Sequence, residues 1–282
     1  MSEIFDGRRC CLGEGALWHP VRKQLFWFDI INRRLLSRVD DTSEEWHFDR
    51  MVSAAGWIDY DNLLIATEFD LIKFNIVTKM SDRLVSLESD NPVTRSNDGR
   101  ADPLGGFWVG TMGKNAEDKA GSIYRYFKGE LRKIHDAITI PNSICFSPNG
   151  DRVYFADTVK QTIWSQLLGN DGWPVADPEV FVDLTAKGFF PDGSVIDSDG
   201  CLWNAQWGSG SVARYSSSGE FLERIYVGGA HSSCPAFGGN DNRTLFVTTA
   251  REGIDQPSSS DGAVYAKSFN ATGTDAPCVL IP

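Results

Sequence analysis

Six times along the chain an apolar run meets an Asp/Asn/Pro/Gly turn and gives way to a second apolar run. The segments are residues 16–30, 56–69, 99–112, 143–158, 193–207 and 236–250. Those turn residues tolerate the backbone angles of a tight reversal, so each segment predicts a β-hairpin. The second runs begin at Leu25, Leu63, Phe107, Val153, Leu202 and Leu245, roughly 40–50 residues apart, which is the repeat length of propeller blades. A third, alternating stretch follows each of them, at 34–39, 71–76, 122–127, 162–167, 211–215 and 263–268. No window sustains a 3.6-residue apolar period, so helices are expected to be few. The pattern predicts an all-β fold: one six-bladed β-propeller, with four antiparallel strands per blade, occupying residues 1–282 as a single domain. A β-sandwich with coincidental spacing is the rival. The strand around residues 4–8 is expected to pair with the last blade, because a ring must protect its edges.

Composition fits this picture, since 27 Gly beside 9 Trp, 7 Tyr and 17 Phe suits short strands and tight turns. A length of 282 residues would by itself suggest about two domains. The repeats use the whole chain, however, and no Pro/Ser-rich linker divides it. The net charge of −11 lacks the basic footprint that nucleic acid or an anionic membrane would require. No stretch approaches the roughly 20 apolar residues of a membrane span, and residues 1–9 lack the apolar core of a secretory leader. The six cysteines (Cys10, Cys11, Cys145, Cys201, Cys234 and Cys278) are scattered, with no metal-knuckle spacing. A reduced, cytoplasmic protein, monomeric or weakly dimeric, is the expectation.

Candidate chemistry lies where polar residues interrupt the start of an apolar run. Glu14 sits between Gly13 and Gly15, Asn97 in Arg95-Ser96-Asn97-Asp98-Gly99, Asn142 in Pro141-Asn142-Ser143 and Asp192 in Pro191-Asp192-Gly193. Singly, each is readable as a cap or a turn; Asn-Asp-Gly is above all a turn signal. Together, four blades present oxygen donors at equivalent entrances, and oxygen-rich sets suit hard divalent cations such as Ca²⁺, Mg²⁺ or Mn²⁺. Arg95 shares the face of Asn97 if that segment is extended. The blades starting near Gly56 and Ala236 lack such a residue. There is no phosphate loop, G-x-S-x-G elbow or H-E-x-x-H motif. His19, before Pro20, reads as solvated surface. Most tryptophans (Trp27, Trp108, Trp164, Trp203) read as core, with Trp207 the one candidate for lining a site.

At these residues the sequence resembles the family of gluconolactonases, regucalcin (senescence marker protein) and luciferin-regenerating enzymes. The resemblance is carried, in order, by Gly13-Glu14-Gly15, Asn97-Asp98-Gly99, Gly110-Thr111-Met112, Pro141-Asn142-Ser143 and Pro191-Asp192-Gly193. It is closest to bacterial sugar lactonases, through residues 97–112 and Thr248-Thr249-Ala250-Arg251-Glu252-Gly253. The resemblance implies a six-bladed propeller in which Glu14, Asn142 and Asp192 hold one divalent metal, with Ca²⁺ foremost and Zn²⁺, Mg²⁺ or Mn²⁺ also fitting. It places Arg95 and Asn97 against the lactone or metal-bound water. It also implies an acidic substrate contact at Glu117, with Asp118 adjacent, in a flap over residues 113–120. Ser143 stands where the family often has Gly, which bears on local turn geometry. The implied activity is metal-dependent hydrolysis of a sugar (aldono-) lactone to its sugar acid, with Asp192 as general base. The alternatives are a non-catalytic calcium-binding regulatory protein of the regucalcin type, and a paraoxonase-like esterase.

Overall fold

The computed structural model describes residues 2–282. Its strands form six four-stranded antiparallel sheets, and the innermost strand of each sheet packs on that of the next, the sixth returning to the first. This is a six-bladed β-propeller. The inner strands are Gly13–His19, Val52–Trp57, Thr94–Ala101, Pro141–Phe146, Phe190–Ile196 and His231–Gly238. Third strands fall within a residue of the alternating stretches, as at Arg34–Val39 and Thr162–Leu167. The only helical turns among the described residues are two three-residue 3₁₀ segments.

The ring closes as expected. Glu3–Asp6 pairs with Val264–Ser268 and completes the sixth blade as its outermost strand. Beyond residue 268 the chain crosses the far mouth of the central channel. There Trp57 Nε1 donates to Ala276 O at 2.7 Å, and Leu280 N donates to Gly105 O at 2.8 Å.

The core is divided into six layers, one between each pair of neighbouring blades. Blades one and two, for example, bury Phe26, Phe28 and Leu35 against Leu63, Ile65 and Phe74. Period-two alternation sends one face of each sheet to each neighbour, which is why both faces are apolar. Trp27, Trp108 and Trp203 are fully buried. His19 corrects the surface reading. It is fully buried, its Nε2 lies 3.0 Å from Asp59 O, and its ring packs on Trp57 at 5.3 Å. The His-Pro pair does sit at a turn, but the adjacent blade covers the imidazole.

Candidate active site

All six inner strands carry a β-bulge in their first half. The register slips between Glu14 and Leu17, Val52 and Ala54, Ser96 and Gly99, Asn142 and Cys145, Pro191 and Ser194, and Ser232 and Pro235. A bulge adds a residue to one strand and re-aims its side chain. In four of the blades the residue at the bulge lines one cavity: Glu14, Asn97, Asn142 and Asp192. The Asn97-Asp98-Gly99 turn reading is corrected accordingly, because all three residues lie inside a strand at a bulge. In the two blades without a candidate, serines take the place. Ser53 Oγ lies 2.8 Å from Ser96 Oγ, and Ser233 Oγ lies 2.9 Å from Thr248 Oγ1.

Glu14, Arg95, Asn97, Asn142 and Asp192 line one cavity of ≈ 130 Å³, together with Thr158, Trp207 and Glu252. Their orientations follow from one hydrogen-bond chain. Thr158 Oγ1 donates to Pro191 O at 2.7 Å, so it accepts from Asn142 Nδ2 at 2.8 Å. That leaves Asn142 Oδ1 to accept from Asn97 Nδ2 at 3.1 Å, on the cavity side. Asn97 Oδ1 in turn accepts from Arg95 Nη1 at 2.9 Å.

The segments entering two of the strands are held alike. Asp29, the register partner of Gly13, accepts from Cys11 N at 3.1 Å and Leu12 N at 3.3 Å. Asp157, the partner of Pro141, accepts from Thr139 N at 3.1 Å and Ile140 N at 3.2 Å. Each aspartate thereby fixes the backbone two residues before Glu14 or Asn142. The residue after each is in the left-handed region, Gly15 at φ +59° and Ser143 at φ +60°. A side chain on Gly15 would strike the Ser53 carbonyl. Ser143 is accommodated by hydrogen bonds of its Oγ with Asp192 O and Ser194 Oγ, both 2.8 Å.

The electrostatics are unbalanced toward negative charge. Glu14 and Asp192 are buried and line the same cavity. Burial, then the nearby Asp98, pushes Glu14 up to about 8. Burial, then Glu14, raises Asp192 well above the ordinary carboxylate range. Glu14 accepts from Gly15 N at 3.0 Å, and no side-chain donor reaches either carboxyl among the described residues. Two buried carboxyls this short of donors, with an amide oxygen in the same cavity, are oxygen donors of the kind a hard divalent cation could use.

Glu117 and Asp118 are not among the residues lining the cavity. The Glu117 carboxylate accepts from Asn115 N at 3.1 Å and Asn115 Nδ2 at 3.0 Å, while Asp118 Oδ1 accepts from Thr139 Oγ1 at 3.3 Å. The flap acids are thus engaged within and beneath their own loop. The acid that does face the cavity, Glu252, carried no motif in the sequence beyond the run that resembles bacterial lactonases. A larger cavity of ≈ 240 Å³ lies at the far mouth, lined by the opposite ends of the same strands and by residues 274–277. It holds no paired carboxylates.

Residues 12–251 match the model of the SMP-30/gluconolactonase/LRE-like region. The chain belongs to this family. It is 36% identical to the L-arabinolactonase of Azospirillum brasilense, over 92% of this chain and 88% of that protein. It is 32% identical to a pentonolactonase of Haloferax volcanii, over 94% and 93% of the two chains. The crystal structure of regucalcin from Agrobacterium tumefaciens, described as a calcium-binding protein, superposes with a TM-score of 0.97 at 37% identity. That superposition covers 99% of this chain and 97% of the other.

Proposed function

We propose that this member of the family is a divalent-metal-dependent sugar lactonase, opening the ring of an aldonolactone to give the sugar acid. The observation that carries the reading is the pair of buried carboxyls of Glu14 and Asp192, which line one cavity with Asn142. These three residues would hold the cation, and when bound it supplies positive charge that polarises the lactone carbonyl. The lactonase names of the relatives support the same substrate class.

The chain's own residues supply the rest. Asp192 takes a proton from the water whose oxygen bonds to the carbonyl carbon. As the bond from that carbon to the ring oxygen breaks, the proton passes to the leaving alkoxide. Arg95 and Asn97, locked to each other, orient sugar hydroxyls and oppose the charge that develops on the carbonyl oxygen. No covalent nucleophile is required; among the described residues no serine or cysteine lines the cavity, and the Thr158 hydroxyl is committed to Pro191 O.

A calcium-binding role without turnover is the second reading, favoured by the regucalcin likeness. It leaves unexplained why Arg95, a cation, faces a cation site. Metal-stripped protein, assayed by pH drop against a lactone panel with Ca²⁺, Mg²⁺, Mn²⁺ and Zn²⁺ restored separately, separates the two. Metal-restored hydrolysis supports the lactonase. Metal binding without turnover on any lactone refutes it.

A further inference from the structure

Resting on the lactonase reading, the structure assigns Glu252 and Trp207 as the wall that reads the sugar, selecting neutral polyhydroxylated lactones over those bearing a second anionic group. Arg95 is the only basic residue lining the cavity among the described residues. Its Nη1 is taken by Ser96 O and Asn97 Oδ1, both at 2.9 Å. Burial lowers the Arg95 pKa from its ordinary value, and of the carboxylates that oppose this Glu252 stands first. Glu252, exposed where it lines the cavity, forms no ion pair with Arg95 among the described residues. The cavity therefore has a donor on one side and an acceptor on the other, with a gap between, which is what vicinal hydroxyls bridge.

The backbone of Glu252 is fixed where it stands. Arg251 N and Glu252 N donate to Cys11 O at 3.0 and 2.9 Å, tying this turn to the strand that carries Glu14. Trp207, half-buried at the end of a second strand, lines the same side, and the His231 ring stacks on it at 4.2 Å and 29°. A braced indole face beside a carboxylate and a guanidinium suits the apolar face and hydroxyl edge of a sugar ring. A carboxylate or sulfonate on the substrate would be repelled by Glu252 and would compete with it for Arg95.

The test compares wild type, E252Q and E252A on arabinono-γ-lactone, which is neutral, and glucaro-γ-lactone, which carries a carboxylate. Binding of arabinitol, a neutral polyol that cannot be hydrolysed, is measured by calorimetry on the same proteins. E252Q keeps the acceptor and removes the charge, so the ratio of kcat/KM for the anionic over the neutral lactone should rise about tenfold. E252A should weaken arabinitol binding and kcat/KM for the neutral lactone by about 10- to 100-fold, the worth of a charged hydrogen bond. Both quantities staying within about twofold of wild type would overturn the assignment. If wild type hydrolyses neither lactone, the lactonase reading has failed. The arabinitol titration then decides Glu252 alone: weakened binding in E252A upholds it, and unchanged binding refutes it.

Discussion

Two sets of buried carboxylates occupy this propeller, and they differ in what they touch. Asp197, in the turn after the fifth inner strand, is fully buried and saturated with donors. It accepts from Cys201 N at 2.9 Å, Trp203 Nε1 at 2.9 Å and Arg214 Nη2 at 2.8 Å. Asp102 repeats the device in the third blade with Trp108 Nε1 at 3.2 Å and Arg125 Nε at 2.7 Å. Asp29 is similarly filled, and its partners, Arg34 and Asn32 ahead of the backbone, outweigh burial and hold its carboxyl below the usual range. Glu14 and Asp192 are as buried but under-supplied, and both are raised. Burial alone costs the same in either place; the partners decide whether a carboxylate is a strut or a socket.

Four substitutions test that distinction, in falling order of effect. Asp192→Asn should lower lactone kcat/KM by about 10²–10⁴ with the fold intact, because the general base is gone while its volume remains. Near-wild-type turnover with an unchanged melting curve would remove Asp192 from the chemistry. Asp197→Ala should instead cost about 3–5 kcal/mol of stability by stranding Arg214 and the Trp203 indole, read as a large drop in Tm with kcat little changed in the surviving folded protein. Asp29→Asn lies between the classes. Weakening the clamp on Leu12 N should reduce divalent-metal affinity about 10- to 100-fold, as loss of an orienting partner does, with a smaller change in Tm. Ser143→Gly should be the mildest. Relief of a left-handed φ, about 1 kcal/mol, opposes loss of the Ser143 Oγ bonds, and the net shift in denaturant midpoint should be small.

The same contrast sets a pH dependence. Glu14 and Asp192 both have folded-state pKa values raised above their ordinary ones; in metal-free protein the Glu14 contribution to stability is fully present below about 4.5 and is lost as pH rises through about 8, and Asp192 acts in the same direction. A divalent cation binds the ionised pair and reverses this. The gain in Tm on adding metal should therefore grow across that interval, and binding should release protons. A metal-induced gain that is flat from pH 5 to 8 would contradict the linkage.

The propeller was legible in the chain because period-two alternation and Asp/Asn/Gly turns are local signals. The third strands could be placed to within a residue for the same reason. The grouping of Glu14, Asn97, Asn142 and Asp192 was legible because repeats put equivalent positions at one mouth of a ring. What escaped was set by contacts that no local sequence pattern announces. His19 looks like a turn residue until Trp57 of the next blade covers it. Asp29 and Asp157 end apolar strands like any polar residue, and only the backbone of the entering segment shows what they hold. Glu117 sits in the loop where an acid was expected, but Asn115 two residues earlier takes its carboxylate. Glu252 reaches the cavity from a blade whose inner strand offers only serines at the entrance.

The most direct test of the socket is calorimetric titration of metal-stripped protein with Ca²⁺ at pH 7, in two buffers of different protonation enthalpy, on wild type and Asp192→Asn. The account expects one site per chain in wild type, with proton release, and affinity reduced at least about 100-fold in the variant. Equal affinity in the two proteins, or binding with no buffer-dependent heat, would contradict it.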